Sequence, residues 1–354
     1  MRSAVRLLFV ALLSALATGV FAQAQYDVYG TVINEKGEPV KGATVFISGS
    51  EKIMPTTDDG HFRFARITPG TFKLSVQMLG YAPFVREIII KNASLSAELR
   101  LQPKAINLNE VVIGSQRARA NNYEIFKQQF LGWSRNGNQC VILNPKVLNF
   151  TTKKNLLLAN ADEFLVIENK RLGYRIRYLL QDFGYNSRNR TTLYHGEFSF
   201  EELTGTEEQK KEWAKNRAET YKGSLKHFLR SVYANNVLEN GFVTKWVYGY
   251  GLFNKLESLQ DSDKLKVIST PVKFDTLITA IDSNFISLKF KQLYITYNPK
   301  QAAAYLRAMA DKDRKSVSFE KTVIFDHNAS VLTLSTPQAI IDKNGRYTDY
   351  RTFL

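Results

Sequence analysis

Between Tyr26 and Gln102 the chain alternates apolar with other residues at a period of two, the signature of strands with one buried face. Val28, Gly30 and Val32 share one side, then Ala43, Val45 and Ile47; Phe62 and Phe64, then Phe72, Leu74 and Val76, continue the pattern, and Leu95–Leu101 supplies a last strand. Turn chemistry separates these runs at Asn34 to Gly37, Asp59-Gly60 and Pro69-Gly70. Glycine accepts positive φ without a Cβ clash, so Asp59-Gly60 is expected to close a tight hairpin. Asp58 and Asp59 then serve the turn, because too few other oxygen ligands lie nearby for calcium. A run of strands separated by turns follows over residues 26–102, which is an all-β pattern.

After the polar stretch Ser115–Asn122, read as the linker within residues 103–122, the pattern becomes mixed. Tyr123–Trp133 reads as a short helix. Strands are expected at Lys146–Phe150, Leu156–Ala159, Phe164–Ile167, Tyr174–Leu180 and Leu193–Leu203. One long helix is expected over Thr206–Asn235. Thr206-Glu207-Glu208-Gln209 is a capping box, and Trp213, Arg217, Tyr221, Leu225, Leu229 and Val232 recur every three or four residues. Gly223 weakens its middle by ~1 kcal/mol relative to alanine and marks a close approach or a kink. Strands resume at Phe242–Tyr248, Lys264–Ser269, Phe285–Lys291 and Tyr294–Tyr297. A helix follows at Pro299–Met309, then strands at Val317–Asp326 and Val331–Leu334. Residues 123–354 thus predict a larger α+β domain on a mainly antiparallel sheet, making the chain multidomain.

The first residues change the picture of where the protein works. Arg2 and Arg6 precede the apolar run Leu7–Ala17, which stops well short of the ~20 residues that span a bilayer. Small residues at Ala22 and Ala24 suit a signal peptidase, so residues 1–22 are expected to be a cleaved signal, with a mature end at Gln23 or Gln25. No cysteine lies there to carry a lipid anchor. Cys140 is the single cysteine, which leaves stability to the hydrophobic cores. Set among Gln139, Val141 and Ile142, it reads as a small buried residue. The formal net charge is +15, and nearly all the excess falls after residue 103. In an exported protein this either serves solubility alone or points to lipid headgroups, lipopolysaccharide or acidic glycans in place of nucleic acid.

The ordered set Gly30-x-Val32, Gly37-x-Pro39-Val40-x-Gly42-Ala43-x-Val45, Thr57-Asp58-x-Gly60-x-Phe62 and Gly80-Tyr81 resembles the carboxypeptidase-regulatory-like domain, a β-sandwich of transthyretin-like topology. That resemblance implies an accessory module, and its kinship with carbohydrate-binding folds implies no sugar site. Tyr26, Tyr29 and Tyr81 are open to two readings, an aromatic platform or core and edge packing. Leu108-Asn109-Glu110-Val111-Val112-Ile113-Gly114 looks like the stretch that follows such modules in TonB-dependent outer-membrane receptors. The residues after it are far too few for a receptor barrel of ~22 strands. A relic, an edge strand and an energy-coupling contact all stay open for it. Further matches extend the resemblance over nearly the whole mature chain: Leu172-Gly173-Tyr174-Arg175-Ile176, Trp213-x-x-Asn216-Arg217, Tyr221-x-Gly223-Ser224-x-x-His227-Phe228-Leu229-Arg230 and Ile341-Asp342-x-x-Gly345. They are similar to exported carboxypeptidase-like regulatory domain-containing proteins of Gram-negative bacteria. No activity carries over with that resemblance.

Chemistry is sparsely marked. The four histidines, His61, His195, His227 and His327, belong to no zinc-peptidase motif. Phosphate loops and nucleophile elbows are absent, so no metal, cofactor or catalytic residue is expected. The best cluster is Arg217, Tyr221, Ser224, His227 and Arg230 on the long helix. Its spacing admits an anion or glycan site, or a nucleophile and base in Ser224 and His227, but the preferred reading is a helix packed on a sheet with Arg217 paired to an acid such as Glu168. Glu168 and Arg175 read as a structural ion pair. The expected function is a non-enzymatic exported binding or scaffolding protein at the periplasm or outer membrane, partnered by an envelope protein, an anionic glycan or a lipid headgroup. An accessory of glycan or peptide uptake and a cryptic hydrolase stay open as alternatives.

Overall fold

The computed structural model describes residues 25–104, 116–248, 264–268, 271–310, 321–324 and 329–347. The signal expected over residues 1–22 and the Leu108–Gly114 segment lie outside the described residues, as does most of Val317–Asp326.

Seven strands build the N-terminal unit: β1 (Tyr26–Ile33), β2 (Thr44–Ile47), β3 (Ile53–Pro55), β4 (His61–Ile67), β5 (Gly70–Gln77), β6 (Phe84–Ile90) and β7 (Leu95–Arg100). They form two sheets, ordered β4-β1-β7 and β3-β2-β5-β6. The alternating residues face each other as predicted, and Val28, Val32, Val45, Leu74, Val76 and Leu99 are fully buried in one core. Tyr26 and Tyr81 pack against that core while Tyr29 is exposed, so no three-tyrosine platform forms. The Thr57–Gly60 turn is present, but the strands it joins, β3 and β4, belong to different sheets. It is a crossing between layers and not a hairpin. Turn residues specify a reversal; which strands then pair is decided by burial.

The second unit begins with α1 (Gln116–Leu131), which starts seven residues before the expected Tyr123 and takes in most of the expected linker. Its Phe126 is fully buried, stacked on Phe130 and edge-on to Phe183. Six strands follow: β8 (Cys140–Ile142), β9 (Leu148–Lys153), β10 (Leu156–Ala161), β11 (Leu165–Asn169), β12 (Tyr174–Asn186) and β13 (Thr191–Glu202). β12 is the axis of this antiparallel sheet, with β11 and β10 along one edge and β13 along the other. Helix α1 covers one face through Phe130 on Tyr178 and Tyr194.

The helix expected over Thr206–Asn235 is two helices, α2 (Glu207–Tyr221) and α3 (Leu225–Tyr233). Beyond them lie β14 (Phe242–Tyr248), β15 (Lys264–Val267), β16 (Ile278–Ala280), β17 (Phe285–Leu288), β18 (Gln292–Tyr297), α4 (Pro299–Ala310), β19 (Lys321–Ile324), β20 (Ala329–Thr333) and β21 (Ala339–Asp342). They make a five-stranded sheet, β19-β15-β14-β18-β20, and a three-stranded one, β16-β17-β21. Phe228, Leu229 and Val232 of α3 pack in the core between them. Trp213 of α2 packs instead on the turn between β11 and β12, with its indole N–H donating to the Lys170 carbonyl at 3.1 Å. The single apolar stripe expected along one helix therefore serves two cores, and Leu225 is exposed.

The sandwich docks on the face of the β12–β13 sheet opposite α1. Buried Glu197 accepts from the Ser48 hydroxyl at 2.5 Å and from the Lys73 ammonium at 3.0 Å. The Gly49 N–H donates to the Phe198 carbonyl at 2.7 Å, which adds a short strand-like contact to the outer edge of β13. Phe46 meets Phe164 edge-on at 5.5 Å. A second attachment comes from the end of β21, where fully buried Asp342 accepts from the Thr71 N–H at 3.2 Å. A Cβ on Gly70 would lie 2.7 Å from that carboxylate, so glycine is what lets the two units close.

Candidate functional site

The break between α2 and α3 is written into three residues. Gly223 takes φ +76°, which terminates α2 in the left-handed conformation that glycine adopts without strain. The Ser224 hydroxyl then accepts from the His227 N–H at 3.2 Å and caps α3. The Gly223 N–H donates to His227 Nδ1 at 3.1 Å. A backbone N–H only donates, so Nδ1 is the acceptor and the ring proton sits on Nε2, which faces Asn240 Oδ1 at 3.4 Å. Tyr297 of β18 lies against Gly223, where a Cβ would come within 3.1 Å of its ring.

A cleft of about 430 Å³ opens at this break. Tyr221, His227 and Tyr297 line its aromatic side, Leu238, Pro299 and Leu306 its apolar side, and Lys222 and Glu239 are among its polar residues. Tyr221 and His227 stand 4.8 Å apart between ring centres.

The five residues singled out in the sequence do not converge on one ligand. Tyr221 and His227 line the cleft, and Ser224 is spent as a helix cap. Arg217 faces away into the second unit. Its guanidinium donates to the carbonyls of Leu172 at 2.7 Å and Gly173 at 3.1 Å and to Glu202 at 2.6 Å, and lies 3.8 Å from the centre of the Tyr174 ring. Its acid is thus Glu202, not Glu168. Glu168 pairs with Arg175 at 2.6 Å, as expected, in a ladder that continues through Glu201 to Arg177. Arg230 lies 5.7 Å from the Tyr221 ring centre and is not among the cleft's lining residues. Ser224 and His227 form no nucleophile–base pair, because the imidazole nitrogens are engaged by Gly223 and Asn240.

Cys140 is half-buried. Burial pushes its thiol up, and an Asn169 amide hydrogen bond at 3.3 Å only partly opposes that. Such a thiol is a poor nucleophile. Among the described residues, no group of His, Cys, Asp and Glu is arranged to hold a metal ion. No described helix is long and apolar enough to cross a membrane.

Sequence reasoning missed Lys222, Asn240 and Tyr297. One signal was available: Asn240-Gly241 is a turn dipeptide, which places Asn240 at a chain reversal. Tyr297 carried none, since it looks like any strand aromatic.

Residues 28–113 match the family model of the CarboxypepD_reg-like domain. No curated protein matches the chain. Among solved structures, the Bacillus anthracis TIE protein is 21% identical with a TM-score of 0.21, over 23% of this chain and 17% of that one. Catechol 1,2-dioxygenase from Pseudomonas arvilla C-1 is 12% identical with a TM-score of 0.22, over 26% of this chain and 57% of that one. A Coh3ScaB–XDoc_M2ScaA cohesin–X-dockerin complex from Acetivibrio cellulolyticus is 20% identical with a TM-score of 0.18, over 22% and 56%. The chain spans less than two thirds of the length of each. With two sheets, one closed core and the family match on the same residues, the N-terminal sandwich is a CarboxypepD_reg-like domain.

Proposed function

We propose that this is a non-enzymatic, exported binding protein of the cell envelope, and that the cleft at the α2–α3 break is its ligand seat, sized for a saccharide unit. One observation supports this above the others. The cleft pairs aromatic rings with polar groups at one opening, while Ser224 and His227 beside it are held in structural bonds. Its volume of about 430 Å³ suits a small ligand. Tyrosine faces receive the apolar side of a sugar ring, and Lys222 and Glu239 reach its hydroxyls. The N-terminal Arg2, Arg6 and Leu7–Ala17 pattern supports export.

Ala303 lines the cleft from the exposed side of α4, so Ala303→Trp fills it without disturbing a core. Binding of wild type to a glycan array, lost in Ala303→Trp at unchanged melting temperature, is the expected result. Retention of glycan binding in that variant, or turnover of a bound glycan, overturns the reading. Capture of apolar peptides with no glycan response shifts the seat to a peptide side chain. Export is checked by intact mass in envelope fractions, and full-length protein confined to the cytosol refutes it.

A further inference from the structure

Three cations meet at the junction of the sandwich, α3 and the turn after β21, and among the described residues one acid stands against them. Lys226 and Arg230 lie one turn apart on α3. Gly345 is pressed onto that turn: a Cβ there would lie 2.8 Å from the Lys226 carbonyl and 2.8 Å from Arg230 Cγ. The next residue is Arg346, whose guanidinium lies 4.4 Å from the centre of the Phe72 ring of the sandwich. None of the three side chains makes an ion pair or a side-chain hydrogen bond with a described residue. The described carboxylate that acts on them, Asp342, is already used: it accepts from the N–H groups of Thr71, Asn344 and Arg346. Counting Asp342 against the three cations leaves two positive charges uncompensated. The crowding shows at Lys226 and Arg346. Burial first, then Arg346 and Arg230, hold the Lys226 ammonium below the usual lysine range, with Asp342 opposing. Burial likewise holds Arg346 down, again against Asp342.

We propose that Lys226, Arg230 and Arg346 form a binding site for a dianionic phosphate monoester on a soluble molecule. A phosphate monoester carries about −1.5 to −2 at neutral pH, which matches the uncompensated charge. Two guanidiniums and an ammonium are the donors such a group takes. Arg346 is recessed against Phe72 between two units, out of reach of a flat bilayer, which favours a soluble phosphate over a headgroup. The three cations are not among the lining residues of the saccharide cleft, so the proposal stands whether or not that reading does.

The test titrates inorganic phosphate and glucose 6-phosphate into the full chain at low ionic strength, with chloride at matched ionic strength as control. Melting temperature and calorimetry are the readouts. Both phosphates should raise the melting temperature, and chloride should not. Lys226→Gln and Arg230→Gln alter exposed side chains; each should weaken binding about tenfold, the worth of one charge-assisted hydrogen bond. The double variant should bind neither phosphate. In phosphate-free buffer Lys226→Gln should melt above wild type, because it relieves like-charge crowding; a purely structural lysine would give the opposite sign. No response of wild type to phosphate overturns the proposal, and so does an unchanged response in the double variant. Binding to phosphatidic acid vesicles with no response to free phosphate overturns the soluble-ligand assignment.

Discussion

Arg217→Ala distinguishes a cross-brace from a ligand hook. The guanidinium ties α2 to the turn between β11 and β12 through two carbonyls, and to the end of β13 through Glu202. Hydrogen bonds from a charged donor contribute ~1.5–3 kcal/mol each. The Tyr174 ring at 3.8 Å adds ~0.5–2 kcal/mol. The Glu202 pair is wetter, with that carboxylate side chain 53% exposed, and contributes only ~0.2–1 kcal/mol. These contributions share one side chain and are not additive, and water replaces part of the lost bonding once the side chain is gone. The expected cost is about 3–5 kcal/mol, a large part of the ~5–15 kcal/mol that holds a domain folded. Arg217→Lys should recover little, because an ammonium is not a planar fork and cannot serve both carbonyls and the ring. Urea unfolding followed by tryptophan fluorescence reads this directly. All three tryptophans, Trp133, Trp213 and Trp246, lie outside the sandwich, so the signal reports the unit that Arg217 braces. A loss below ~1 kcal/mol at unchanged denaturant slope, with glycan binding abolished, would refute the reasoning and return Arg217 to a binding role.

Gly223→Ala should cost about 1–2 kcal/mol for its left-handed backbone, plus a shift of Tyr297; a variant that melts with wild type shows that the break is not fixed by glycine. Trp213→Ala should cost ~3–5 kcal/mol, and Trp213→Phe about 1 kcal/mol for the lost indole bond to Lys170; equal losses would mean that the ring itself carries nothing. Acid should loosen two ion-paired sites. The Arg63 side-chain hydrogen bond holds Asp27 below the usual carboxylate range, and at Glu201 burial pushes upward but Arg177 and Arg175 outweigh it. A depressed folded-state pKa gives stability that is full above the unfolded value, ~4, and is lost as pH falls through the folded value. Asp27→Asn with Glu201→Gln should therefore flatten the melting-temperature profile below about pH 4, and an unchanged acid limb would remove these pairs from the account.

The sandwich was legible because a half-buried strand imposes a period of two, and Val28, Val45 and Leu74 obey it. Phe242–Tyr248 was legible in both its bounds, although Phe242, Val243, Thr244 and Lys245 are all buried and show no alternation. Two helices were misread for opposite reasons. The start of α1 has no apolar stripe, so Gln116, Arg117, Ala118, Arg119 and Ala120 looked like a linker, although all are strong helix formers. The α2–α3 region does have a stripe, and it hid the cap. Ser224 is an N-cap signal placed inside an unbroken periodicity, and only the left-handed Gly223 against Tyr297 decides for a break. The candidate cluster failed at a further level. Helical spacing says which residues share a face but not what the face meets, and here one face meets two cores. The docking residues were beyond any local pattern. Glu197 lies 124 residues from Lys73 and Asp342 lies 271 from Thr71.

That last separation sets an order of events during synthesis. The sandwich core is complete once Leu101 has emerged, and it draws on no later residue. Its docking surface does not. Phe46 and Lys73 wait for Phe164 and Glu197, and the Gly70–Phe72 strand end waits for Asp342 and Arg346, nearly the last residues described. The first unit to fold therefore spends most of translation with an unsatisfied surface, open to proteases and to pairing with a neighbouring copy. Release from that state comes from the turn at Asp342, which makes the C-terminal part of the chain the latch on its oldest domain.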